Sequence, residues 1–381
     1  MRADHYVFSG APAWCARTRH RIQRRIFRHA GLAGVDRRGH AEDGTAHTRR
    51  GEFVRSSSCG NDGVVRGAEG VRTLLDVPRR MVRGTMERLL APFGARALER
   101  MIEDGLPARL APALRFLFSG EAPAAAEEAA CTIEGLRAQI AARPEAYRFA
   151  VSDSALGPVR LAERAGKTNA VVTSDHLATS VSVPKRWGVF LHLCAEAFDA
   201  KTILEMGACV GISSAYFASI RSRPHVITLE GSPPLALLAR ESLAAVSDRG
   251  EVIVGAFEET LVVTLDRLAE TGEKVDVAFV DGHHEEAATL HYVETISRHL
   301  AGTALIILDD IYLYEGMWRA WQTLSSGSSV IAVNAGRFGL LVYERGRPAG
   351  RRYDLARYTG RWRVGGERAR ILAEERARDR A

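Results

Sequence analysis

Lysine is scarce in this sequence. Of 52 basic residues only Lys167, Lys185, Lys201 and Lys274 are lysines, and the other 48 are arginines. Cysteine is scarce too: Cys15, Cys59, Cys131, Cys194 and Cys209 are odd in number and lack CxxC spacing, which argues against a disulfide framework or a structural zinc site. The expected compartment is a reducing cytoplasm. No apolar run approaches the roughly 20 residues of a membrane span, and arginines stand where a signal peptide needs its apolar core. Neither a membrane partner nor export is expected.

What is present fits an ordinary globular protein: 381 residues, 46% hydrophobic and 26% charged. The net charge of +6 is unevenly spread, with +9 in residues 1–85, −9 in 86–343 and +6 in 344–381. Phosphate recognition needs basic side chains clustered on a folded surface, whereas here they sit at the two ends. No nucleic-acid partner is expected.

Composition divides the chain. Residues 1–80 read as a disordered Arg-rich leader, too poor in apolar residues to offset chain entropy; alternatively, translation starts at Met81 or Met86. Residues 86–180 read as a helical cap, because Leu89, Leu90, Phe93, Leu98, Met101 and Ile102, then Leu110, Leu114, Phe116, Leu117 and Phe118, recur at helical spacing. From 181 to 345, short β-branched runs alternate with helical segments: strands over 202–206, 226–230, 251–255, 275–281 and 304–309, then an antiparallel hairpin from 330–334 and 339–344. This alternation predicts an α/β fold, a parallel sheet with helices on both faces. Residues 346–381 read as a basic, solvated C-terminal tail.

The most specific stretch is Glu205-Met-Gly-Ala-Cys-Val-Gly211, where a strand passes through a glycine-bearing loop into a helix. Such glycines let backbone approach a ligand at the carboxyl edge of the sheet. A dinucleotide loop needs Gly-x-Gly-x-x-Gly, and Cys209 occupies its second glycine position. Glu205 is placed to take a ligand ammonium, directly or through water, and Glu230, ending the next strand, to accept both hydroxyls of a ribose. An amino acid joined to a nucleoside suits this pair.

With these residues the sequence resembles the class I S-adenosylmethionine-dependent methyltransferases. The resemblance implies a Rossmann-like seven-stranded sheet of order 3-2-1-4-5-7-6 with its last strand antiparallel, and S-adenosylmethionine as cofactor. It assigns cofactor binding to Glu205, Gly207, Ala208, Gly211, Ser213, Glu230, Gly255, Phe257 and Asp281. Phe257 reads equally well as a core aromatic.

Asp281 ends the fourth strand of this domain, and Asp309 and Asp310 the fifth, so adjacent parallel strands bring three carboxylates to one edge. Hard oxygen ligands of this kind suit magnesium or another divalent cation, which would lower the pKa of a substrate hydroxyl and orient it. His284, an imidazole that titrates near neutrality, is a candidate base beside Asp281. Here the sequence resembles small-molecule O-methyltransferases, specifically a bacterial group with Asp-Gly-x-His followed by Asp-Asp. The related catechol and caffeoyl-coenzyme A enzymes carry Asp-Asn and commonly a lysine near His283 or His284, so metal use and the base stay open. Asp309-Asp310 reads alternatively as a solvated strand end or helix cap, and His284 as a structural or cofactor-positioning residue.

The resulting expectation is O-methylation of a small-molecule hydroxyl, with a homodimer implied by analogy alone. Two readings compete with it: a macromolecular or nitrogen acceptor, and a non-catalytic binding protein that keeps the fold.

Overall fold

A computed structural model of the chain describes residues 76–150, 162, 165–346 and 350–359. The leader expectation therefore lies outside the described residues, except that helix α1 (Asp76–Glu103) begins within it. Helices α2 (Ala111–Ser119) and α3 (Ala124–Ala141) follow. Pro123 precedes the first turn of α3, and Gly120, in left-handed conformation, terminates α2.

The cap differs from the sequence expectation in one respect. Strands β1 (Ala146–Ala150) and β2 (Asn169–Thr173) form a separate antiparallel pair within it. Its helices share a core with the rest of the chain: Leu98, Leu114, Leu117, Ile133 and Ile140 are buried together with Phe190 and Leu191 of α4 (Lys185–Ala197). Arg137 of α3 ties the layers together, donating to the carbonyls of Ala178 and Val183 at 2.5 Å each, just before α4. On the same helix, Glu134 accepts a hydrogen bond from Tyr216 at 2.9 Å.

After α4 the chain alternates: β3 (Thr202–Met206), α5 (Ile212–Ala218), β4 (His225–Glu230), α6 (Pro233–Val246), β5 (Gly250–Val254), α7 (Phe257–Glu270), β6 (Val275–Val280), α8 (Glu286–Ser297), β7 (Leu300–Leu308), α9 (Glu315–Ser325), β8 (Ile331–Asn334), β9 (Gly339–Glu344) and β10 (Arg351–Asp354). The main sheet runs β10-β8-β9-β7-β6-β3-β4-β5. β3 through β7 are mutually parallel, and β9 is antiparallel to both β7 and β8.

Among the described residues the main sheet has eight strands rather than seven. The eighth, β10, lies in the stretch read as a solvated tail and pairs parallel with β8, and Tyr353 on it is buried. Residues 360–381, the rest of that stretch, lie outside the described residues.

Side chains alternate across the strands, so each face has its own core. Ile203, Val277, Phe279 and Ile307 join α4, α5, α6 and the cap helices on one face. Leu204, Met206, Ala278 and Leu308 join α7, α8 and α9 on the other. This sandwich fixes the carboxyl ends of β3, β4, β6 and β7 along one edge, where the predicted functional residues emerge.

Candidate active site

The loop after β3 is shaped by close backbone approach. Gly207 has φ +97°, and a Cβ there would lie 2.0 Å from the carbonyl oxygen of Asp281. The N–H of Gly207 donates to Leu229 at 2.9 Å and that of Asp281 to Met206 at 3.0 Å, which locks the ends of β3, β4 and β6 together. Gly211, φ +80°, brings the loop within 2.8 Å of the Ala239 Cα, counted from a built Cβ. Buried Ala208 accepts the Gly211 N–H at 2.7 Å, which closes the turn.

Two acids border this loop. Glu205 is fully buried on β3; one carboxylate oxygen accepts from Ser214, and Oε1 has no hydrogen-bond partner. Burial raises its pKa, opposed by the hydroxyls of Ser213, Ser214 and Thr228. A buried acceptor without a partner is costly, and a ligand ammonium is the kind of group that would satisfy it.

Glu230 accepts the N–H of Cys209 through Oε2 and that of Ser232 through Oε1, both at 2.8 Å. Burial pushes its pKa up to about 7, against the lowering effect of those two N–H donors. Each carboxylate oxygen keeps a second lone pair for a hydroxyl. Gly255 adjoins Glu230, donating its N–H to the Glu230 carbonyl at 3.1 Å.

Phe257 begins α7 and packs against Gly282, His283 and Tyr292, with ring centroids 5.4 Å from His283 and 6.0 Å from Tyr292. His283 is held by the Tyr292 hydroxyl at 2.6 Å, and that hydroxyl donates to Glu258 at 2.7 Å. These contacts make His283 and Glu258 parts of a structural network. Trp318 and Trp321 are likewise core, with Trp318 stacked on Tyr312 at 4.6 Å. Tyr314 instead lies near the site, 6.5 Å from the His284 ring.

Beyond β6 and β7 the predicted residues converge. His284 Nε2 lies 3.5 Å from Asp281 Oδ1. The pKa of Asp281 is raised well above the usual carboxylate range, by burial first and by Asp309 next. Asp310 is pushed up to about 7, again by burial and then by Asp309.

The expected oxygen cage for a metal does not form. Asp309 has no solvent exposure and is held by Arg337, whose Nε donates to Oδ1 and Nη2 to Oδ2, both at 2.6 Å. Arg337 Nε is also 3.2 Å from Asp310 Oδ1. Among the described residues no group of three or more His, Cys, Asp or Glu is arranged to hold a metal ion. Of the three carboxylates expected as ligands, Asp281, Asp309 and Asp310, the central one is thus already paired with a guanidinium.

Arg337 was missed by sequence reasoning, because its partner is set by tertiary register. β9 runs antiparallel to β7 with Gly339 opposite Leu308, which carries the β8–β9 turn to Asp309-Asp310, and Arg337 is the charged residue of that turn.

The mostly parallel sheet with helices on both faces defines a Rossmann-like α/β protein. Residues 204–311 match the family model described as a methyltransferase domain. The chain is similar to the catechol O-methyltransferase of Mycobacterium tuberculosis, 32% identical over 134 residues, covering 34% of this chain and 57% of the relative. It is also similar to O-methyltransferase imqG of Aspergillus flavus, 30% identical over 127 residues, covering 32% and 50% respectively. The chain thus spans about half the length of these curated relatives. Among solved structures, the O-methyltransferase TomG of Streptomyces achromogenes, in complex with SAM, is 25% identical, with 43% of this chain and 82% of that one covered and a TM-score of 0.38. Among the described residues no helix is long and apolar enough to cross a membrane.

Proposed function

We propose that this chain is an S-adenosylmethionine-dependent methyltransferase acting on a hydroxyl oxygen of a small molecule. The observation that carries this reading is the unsatisfied Oε1 of Glu205 beside the Gly207–Gly211 loop and Glu230, within residues that match a methyltransferase domain. The names of the two curated relatives support an oxygen acceptor.

In this reading Glu205 holds the ammonium of the cofactor and Glu230 its ribose hydroxyls. Gly207, Ala208, Gly211 and Ser213 shape the wall along the methionine part, while Gly255 and Phe257 flank the base. When bound, S-adenosylmethionine supplies a methyl sulfonium whose carbon is taken by the acceptor oxygen, the electron pair of the C–S bond returning to sulfur. Asp281 and His284, 3.5 Å apart beyond β6, are the groups that take the hydroxyl proton in this reading. No step passes through a divalent ion, since Asp309 is engaged by Arg337.

The test is incubation of the purified chain with methyl-labelled cofactor and catechol or pooled hydroxylated metabolites, followed by mass spectrometry. The expected product is a methyl ether. Label found only on nitrogen, carbon or macromolecules would overturn the oxygen assignment.

A further inference from the structure

Arg337 lies where a cation is wanted. Its turn is fixed by the Ile311 N–H, which donates to the Arg337 carbonyl at 3.2 Å, and its guanidinium carbon sits 5.7 Å from the Phe338 ring centroid. The pair of bonds to Asp309 is planar, bidentate and charge-assisted, the strongest common geometry for these groups. The side chain is 20% exposed while Asp309 is not exposed at all, so the guanidinium keeps some contact with solvent while pairing a buried anion. Its contacts with Asp309 and Asp310 use Nε and Nη2, and Nη1 takes no part in them.

A divalent ion at Asp309 would have to displace this guanidinium, leaving a positive charge partly buried beside a second one. The two cations repel, and the arginine cannot shed its proton to relieve the conflict. Burial disfavours the charge on Arg337, but the carboxylates of Asp309 and Asp310 outweigh it and hold the group protonated.

We propose that Arg337 is a built-in substitute for a divalent cation, orienting the acceptor oxygen through Nη1 and making methyl transfer at this site independent of metal ions. This rests on the methyltransferase reading above. In the step so assisted, the acceptor O–H proton passes to Asp281 or His284, an oxygen lone pair forms the O–CH3 bond, and the C–S pair returns to sulfur. Arg337 exchanges no proton. It stabilises negative charge as that charge develops on the oxygen, as a preorganised donor does.

Manganese titration of the purified full chain, followed by electron paramagnetic resonance, tests the inference without needing the acceptor. The wild-type chain is expected to show no site tighter than about 1 mM, weaker than a dedicated cation site. Arg337→Ala is expected to gain one, and Arg337→Ala with Asp309→Asn to lose it again. A wild-type site in the micromolar range, or no gain in an Arg337→Ala chain that still binds S-adenosylhomocysteine, would overturn the proposal. Should Arg337→Ala not fold, the wild-type titration and Arg337→Lys, expected to exclude manganese as the native residue does, decide alone. With catechol or another accepted diol, EDTA is expected to leave turnover unchanged, and magnesium-restorable loss of turnover would contradict the inference. Failure to bind S-adenosylhomocysteine at all would instead count against the methyltransferase reading.

Discussion

At the scale of single residues, Glu230 joins two tasks. It ties the Gly207–Gly211 loop to β4 through the Cys209 N–H, and in its charged form it would accept ribose hydroxyls. Its pKa near 7 gives the coupling a sign: below that value the carboxyl is protonated and a poorer acceptor, so cofactor affinity should rise with pH through about 7 and then level off. Calorimetry with S-adenosylhomocysteine should show this rise, and Glu230→Gln should flatten it while weakening binding about tenfold, the scale of one hydrogen bond to a charged group. Gly207 makes a different demand. An alanine there would drive its Cβ into the Asp281 carbonyl at a positive φ, and we expect a loss of about 3 kcal/mol in denaturant unfolding, at the upper end for overpacking.

At the scale of elements, the last strand shows how packing overrides local pattern. β10 reads Arg351-Arg-Tyr-Asp354, three polar residues around one aromatic, and nothing in that composition announces a strand. It forms because β8 offers an unpaired edge and because Tyr353 is buried, its hydroxyl donating to Asp104 at 3.1 Å. Tyr353→Ala should therefore destabilise the chain by about 3 kcal/mol, measured by thermal or denaturant unfolding, whereas a solvated tail would show almost no change.

The strands from β3 to β7 were legible because each is a short aliphatic run closed by glycine or acid, as in Val277-Ala-Phe-Val-Asp281. The β1–β2 pair was not, since Ala146-Tyr-Arg-Phe-Ala150 finds its partner only across the eighteen residues from 151 to 168, too long a separation for local pattern to mark the pairing. The same distinction runs through the site. Glu205, Gly207, Glu230 and Asp281 fall at strand ends and Gly211 at the start of the helix that follows, positions that the sequence pattern marks. Arg337 reaches Asp309 only through an antiparallel return, so its partner is set by tertiary register.

At the scale of the whole molecule, the acidic middle of the chain carries its charge unevenly. Glu230 and Asp310 both have pKa values pushed up to about 7 by burial, and burial also raises Asp281 well above the usual carboxylate range. For such groups the folded state binds more protons than the unfolded state between the ordinary carboxylate pKa and the raised one, so stability is greatest below that window and declines as pH rises through it. The cofactor-free chain should accordingly lose thermal stability between about pH 5 and about pH 7, where these acids ionise while buried. Scanning calorimetry across that range checks it, and a melting temperature that rises with pH there would contradict the burial of these acids. Saturating S-adenosylhomocysteine should reduce the slope, because ribose hydroxyls favour the Glu230 carboxylate.

The central claim is that the edge holding Glu205 and Glu230 is a cofactor site for methyl transfer. Calorimetric titration of the purified chain with S-adenosylhomocysteine tests it most directly. The account predicts one site per chain with a dissociation constant in the micromolar range, about −8 kcal/mol, weakened by Glu230→Gln. Absence of binding by a folded wild-type chain would contradict it.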